Sequence, residues 1–61
     1  MKIKEKREQI GLRQEDVAQA LDVDRSTVAK WETGEAMPRS DKLPELAKIL
    51  GCSIDELYKE V

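Results

Sequence analysis

The stretch QEDVAQALDVDRSTVAKWETG, residues 14–34, sets two short helical patterns almost end to end. In the first, Val17, Ala18 and Leu21 recur at helical spacing. Glu15 and Asp16 stand in its opening turn, where the helix dipole favours anions. In the second, Val28 and Trp31 form an inward pair, and Asp24 is placed to act as an N-cap, its carboxylate reaching the free amides of the first turn. The patterns predict helices over about residues 14–21 and 25–32. Asp22 lies in the turn between them. A turn this tight asks for a left-handed residue, which Gly supplies most easily and Asp or Asn more readily than other side chains.

Working outward, residues 2–10 form a first helix on the recurrence of Ile3, Lys6/Arg7 and Ile10. Arg7 falls where an apolar residue is expected. Gly11 stops that helix, and Leu12 tucks in behind it. Beyond Gly34 comes a loop over 35–41, then a helix starting at Leu43 or Pro44, with Pro tolerated in the first turn. Leu43, Leu46, Ala47 and Leu50 face inward, and Gly51 ends the helix. Ser53 and Glu56 form a capping box for a last helix anchored by Ile54, Leu57 and Val61. The expected fold is all-α, five short helices in one domain over residues 1–61.

Composition narrows the function. A chain of 61 residues has a small core, and a single Cys leaves no intramolecular disulfide to reinforce it. Cys52 reads most simply as a reduced, half-buried small hydrophobe of a cytoplasmic protein, with a reactive thiol as the alternative. There is no His, no nucleophile beside a base and no phosphate-cradling Gly loop, so an enzyme is not expected, nor a metal or other cofactor, nor a small-molecule ligand. No apolar run approaches the roughly 20 residues of a membrane span, and no signal peptide is legible. Net charge is −2, unevenly spread: residues 1–13 carry five cations against two anions, residues 14–38 two against six.

The two helices of the opening stretch meet the demands of a helix-turn-helix unit. Ala18 is small enough for the second helix to cross closely over the first. Val17, Leu21, Val23, Val28 and Trp31 fix the crossing from inside, and the polar residues between them stay outside. Together with "REQIGLRQEDVAQAL", "DRSTVAKWETG" and "LPELAKILGCSIDEL", the chain resembles the Cro/repressor-like (XRE) helix-turn-helix proteins of phages and bacteria, over about residues 3 to 58. The resemblance implies a compact five-helix, lambda-repressor-like domain that binds operator DNA as a homodimer and regulates transcription, with repression the expected output. It implies the third helix in the major groove and the start of the second against the backbone. On that pattern Arg25, Ser26 and Lys30 meet base edges. Arg13 and Gln14, Thr27 (which could instead help cap its helix), Arg39 and Lys42 meet the sugar-phosphate backbone. The family pattern also pairs Arg7 with Glu32 as a structural ion pair, which accounts for the inward Arg.

Plainer readings stand beside these. Arg25 and Lys30 could be solvated charges on an amphipathic helix, Gln14 only a helix-start residue, and Trp31 a surface anchor. The basic first helix could be a solvated face, and Met37 and Ile49 either ordinary surface residues or a dimer contact. Asp22, Asp24 and Glu35 place anions near where phosphates would run, and affinity for DNA depends on phosphate neutralisation. The competing function is therefore a protein-interaction module, an antirepressor or antitoxin that keeps the helix-turn-helix fold. With no sensing domain expected, any inducing signal would arrive through another protein, abundance or degradation.

Overall fold

The computed structural model describes residues 1–58, and among these the chain forms five α-helices and no strand. They are α1 Ile3–Gln9, α2 Gln14–Leu21, α3 Arg25–Thr33, α4 Leu43–Leu50 and α5 Ile54–Tyr58. The expected all-helical architecture is the observed one, and α2 has the expected bounds. Val61, read as an anchor of the last helix, lies outside the described residues.

The helices end by a shared device. After α1, Leu12 N–H donates to Arg7 O at 3.1 Å, and after α2, Val23 N–H donates to Ala18 O at 3.0 Å. After α4, Cys52 N–H donates to Ala47 O at 3.0 Å. Each bond runs five residues back to a carbonyl of the last turn; Ala18 O and Ala47 O also accept from the N–H of the residue at the corner, Asp22 or Gly51. The closure needs a left-handed residue at the corner. Gly11 supplies it after α1 at φ +75°, and Asp22 supplies it after α2 at φ 57°, the one non-glycine residue with positive φ among those described. Lys42 Nζ donates to Leu21 O at 2.9 Å, so the end of α2 gains a cationic cap from the approach to α4.

The core is aliphatic around one indole. Ile3, Val17, Ala18, Leu21, Val28, Trp31, Leu46, Ala47, Leu50 and Leu57 form one buried cluster, with Leu12, Val23, Ile49 and Cys52 packed partly against it. Pro38 is also buried and pins the loop before α4. Burial pushes the Cys52 thiol above its usual range, although Lys6 opposes the shift, which suits an inert small hydrophobe.

Two expected inward residues turn outward. Ile10 is 48 % exposed, because α1 stops at Gln9 and Ile10 belongs to the turn. Ile54 is also exposed, leaving Leu57 to anchor α5. Lys2 N–H donates to Leu57 O at 3.0 Å and Lys6 pairs with Glu56 at 3.4 Å, stitching α1 to α5. The capping box forms as expected: Ser53 N–H donates to Glu56 Oε1 at 3.1 Å and Glu56 N–H to Ser53 Oγ at 3.1 Å.

Candidate nucleic-acid interface

The crossing of α2 and α3 is held from inside by packing and from one edge by a polar network. Arg7 Nε donates to Glu32 Oε2 at 2.7 Å and Nη2 to Glu32 Oε1 at 3.3 Å. Arg7 Nη1 donates to Leu12 O at 2.8 Å. The side chains of Arg7 and Glu32 are 11 % and 4 % exposed, so the pair is nearly dry. The hydrogen bond to Glu32 holds the Arg7 guanidinium even more firmly protonated than usual, against the pull of burial. Gln14 Nε2 also donates to Glu32 Oε1, at 3.0 Å. The first residue of α2 is thereby tied to the last turn of α3.

On α3 each residue turns about 100° from the last. Opposite the buried Val28 and Trp31 this leaves Ser26 and Lys30 on the outer face, with Arg25 leaning toward α2. Arg25, Ser26 and Lys30 are exposed and make no side-chain hydrogen bond or ion pair among the described residues. Thr27 is half-buried on the other flank. Asp24 occupies the N-cap position in extended conformation, and its carbonyl accepts from Thr27 N–H at 3.0 Å. Its carboxylate makes no capping bond, contrary to the expectation from sequence. The first turn of α3 therefore has no side-chain cap, and Thr27 N–H and Val28 N–H close on the Asp24 carbonyl instead.

Arg25, Arg13 and Gln14 border one space. With Glu15 and the edge of Arg7 they line an open cleft of about 270 Å³ where α2 begins. Arg13 is 78 % exposed, and its pairs with Glu15 at 3.5 Å and Asp16 at 3.9 Å are loose surface contacts of small worth. Its backbone N–H donates to Asp16 Oδ2 at 2.8 Å, closing the first turn. The cleft thus gathers Arg13, Arg25 and Gln14 beside Glu15, while the Arg7 guanidinium at its edge is already engaged by Glu32 and Leu12 O; two exposed guanidinium-bearing side chains and an amide suit an anion.

The remaining candidates lie apart from the cleft. Arg39 is exposed, and its carbonyl accepts from Lys42 N–H at 2.9 Å at the turn into α4. Lys42 is half-buried, with its ammonium already on Leu21 O. Neither that cap nor the Gln14–Glu32 bond is visible in the sequence, since each joins residues far apart in the chain and neither follows a periodicity. Asp22, Asp24 and Glu35 are exposed around the turn and the end of α3. Among the described residues no group of His, Cys, Asp or Glu is arranged to hold a metal ion, and no helix is long and apolar enough to cross a membrane.

Comparison with known proteins converges on the same elements. The sequence model of a family described as helix-turn-helix matches residues 3–57. The chain is 41 % identical over 46 residues to the 26 kDa repressor protein of Escherichia phage HK022, covering 75 % of this chain and 20 % of that protein. It is 36 % identical over 61 residues to the HTH-type transcriptional activator BcrR of Enterococcus faecalis, covering 93 % of this chain and 30 % of that protein. The chain therefore spans less than a third of the length of these relatives. No solved structure matches it significantly.

Proposed function

The chain belongs to the helix-turn-helix family, of the Cro/repressor-like type, and from that premise we propose that it binds double-stranded DNA in a sequence-specific manner and regulates transcription. The observation that carries this reading is the outer face of α3. It presents Arg25, Ser26 and Lys30 with unengaged side chains, beside a cleft that gathers Arg13 and Gln14. A helix with free donors on the face opposite its core fits the major groove, where Arg and Lys pair with guanine O6 and N7. Arg25, Ser26 and Lys30 read base edges. Arg13, Gln14 and Thr27, with Arg39 and Lys42 further along, meet the backbone and set the register. The reading invokes no catalysis and no cofactor.

The charge balance asks for two copies. With 11 cations against 13 anions, one domain neutralises few phosphates and binds weakly. A homodimer on an inverted repeat, its half-sites roughly 34 Å apart, recovers affinity because the second half-site is engaged at high effective concentration. The two relatives are named for opposite outputs, a repressor and an activator. We take repression as the output, because occupancy of an operator by a DNA-binding domain suffices for it.

A second reading draws on the exposed Asp22, Asp24 and Glu35, which would face phosphates: the domain then docks on another regulator as an antirepressor or antitoxin. Selection from a random duplex library at about 50 mM salt separates the two, since phosphate contacts are strongest at low salt. An enriched inverted repeat supports the operator-binding dimer. Failure of well-folded protein to enrich any sequence refutes it in favour of the docking module.

A further inference from the structure

The cleft and the buried ion pair share one residue. Gln14 lines the cleft, and its Nε2 also donates to Glu32 Oε1 at 3.0 Å. Glu32 does not need that bond to satisfy Arg7, because the guanidinium already reaches both carboxylate oxygens, at 2.7 and 3.3 Å. Chemistry decides the direction of the amide. A carboxylate paired with a guanidinium only accepts, so Gln14 turns its NH₂ toward Glu32. The carbonyl oxygen and the second N–H of that amide remain for the cleft. A free surface glutamine samples many rotamers, and ordering such a side chain on binding costs affinity. Here the ordering is done in the free protein, by a carboxylate only 4 % exposed and anchored by Arg7, which is itself held by Leu12 O at 2.8 Å.

We infer that Glu32 is a positioning residue for DNA binding: through Gln14 Nε2 it holds the first side chain of α2 in its phosphate-contacting pose before DNA arrives. This rests on the DNA reading above. Glu32 itself touches no DNA. Its carboxylate couples the scaffold pair with Arg7 to the interface. A change that spares the fold but releases Gln14 weakens binding by about two- to tenfold, the usual range for one newly mobile side chain.

The test uses wild type, Glu32→Asp, Gln14→Met and the double variant. Glu32→Asp keeps a charge opposite Arg7 and withdraws the carboxylate by one methylene from Gln14. Binding is measured by fluorescence anisotropy on the selected duplex, and ¹⁵N relaxation of side-chain amides reports order in the free protein. Glu32→Asp is expected to weaken binding two- to tenfold in the wild-type background and to have no further effect on Gln14→Met. An equal loss in both backgrounds, or none in either, overturns the inference. Should Glu32→Asp fail to fold, wild type alone decides. Its Gln14 amide must be more ordered than those of the exposed Gln9 and Gln19, and equal mobility overturns the inference. If wild type binds no duplex, the DNA reading falls and this inference with it, an outcome that the relaxation data, taken without DNA, keep distinct from a missing tether.

Discussion

Replacing Arg7 by Met tests the foundation of the α1–α3 junction. The substitution keeps most of the aliphatic volume and deletes three hydrogen bonds, two to Glu32 and one to Leu12 O. Glu32 is left with Gln14 alone on a side chain 4 % exposed. Stranding one member of a fully buried pair costs about 3–5 kcal/mol. Arg7 retains an 11 % exposed edge, which places the expected loss near the lower end, at about 3 kcal/mol. Cores of this size supply only about 3–5 kcal/mol, so the variant should sit at the edge of folding. At about 4–8 °C per kcal/mol for a domain this small, the midpoint falls by about 12–24 °C. The double variant Arg7→Met/Glu32→Leu removes both charges and their desolvation cost together. It should recover most of the loss, short of wild type by about 1–2 kcal/mol because the Leu12 carbonyl and the Gln14 amide lose their partners. Urea and thermal melts followed by circular dichroism at neutral pH measure wild type, Arg7→Met, Glu32→Leu and the double variant. A cost below about 1 kcal/mol for Arg7→Met, the worth of an exposed pair, would refute the reasoning. So would a double variant no more stable than the weaker single.

Lys42→Met should lower stability by about 1–2 kcal/mol, because the end of α2 loses its cationic donor on Leu21 O. Lower DNA affinity with an unchanged urea midpoint would instead make Lys42 a backbone contact and nothing more. Arg25→Ala and Lys30→Ala should each weaken binding to the selected operator by about 1–3 kcal/mol and relax preference at one base position, leaving the melting curve in place; an equal loss on random DNA argues against base reading. Arg13→Ala should weaken all sequences alike and reduce the slope of log affinity against log salt by about one. Glu56 is held below its usual carboxylate range, first by the Ser53 backbone N–H and then by Lys6. A depressed folded value means that its stabilisation is present above the unfolded value near 4.5 and is lost as pH falls through the folded one. Melting temperatures of wild type and Glu56→Gln should therefore converge as pH drops below that window, and parallel curves down to pH 3 would contradict it.

Much of the bundle is legible because its rules are local. Val17, Ala18 and Leu21 mark the buried stripe of α2, Ser53 and Glu56 announce the start of α5, and Asp22 sits where the turn needs a left-handed residue. Where local rules compete, sequence reading errs. Ile10 and Ile54 continue a helical period yet face solvent, because the period runs past the end of one helix and begins at the exposed start of another. Asp24 has the right type and place for a capping side chain, yet its carboxylate stays unbound, and nothing in the structure explains why. The polar partners are the least legible part. Arg7 reaches Glu32 across 25 positions and Lys42 reaches Leu21 across 21, distances at which only the folded chain brings residues together. Family resemblance suggests the first pair, and no pattern suggests the second. On the outer face of α3, Arg25 and Lys30 are identifiable as charged, but their freedom from neighbouring carboxylates becomes visible only in three dimensions.

The bond from Lys2 N–H to Leu57 O makes the chain topologically closer to a ring than to a line. Its two partners are 55 positions apart, and contacts of such long reach are slow to form because the loop entropy is lost before the contact is gained. Opening the ring elsewhere moves that delay. A circular permutant cut in the exposed segment at Gly34 and Glu35, with its old ends rejoined by a flexible linker, would keep α1 through α3 contiguous and place α4 and α5 ahead of them. The α1–α5 seam would then become a local contact, while Lys42 on Leu21 and the packing of α4 on α2 would become the long-range closure. Such a permutant would show whether order of assembly is separable from final architecture in this domain: the same native contacts would be approached from the other side of the ring, at a rate set by where the chain is cut.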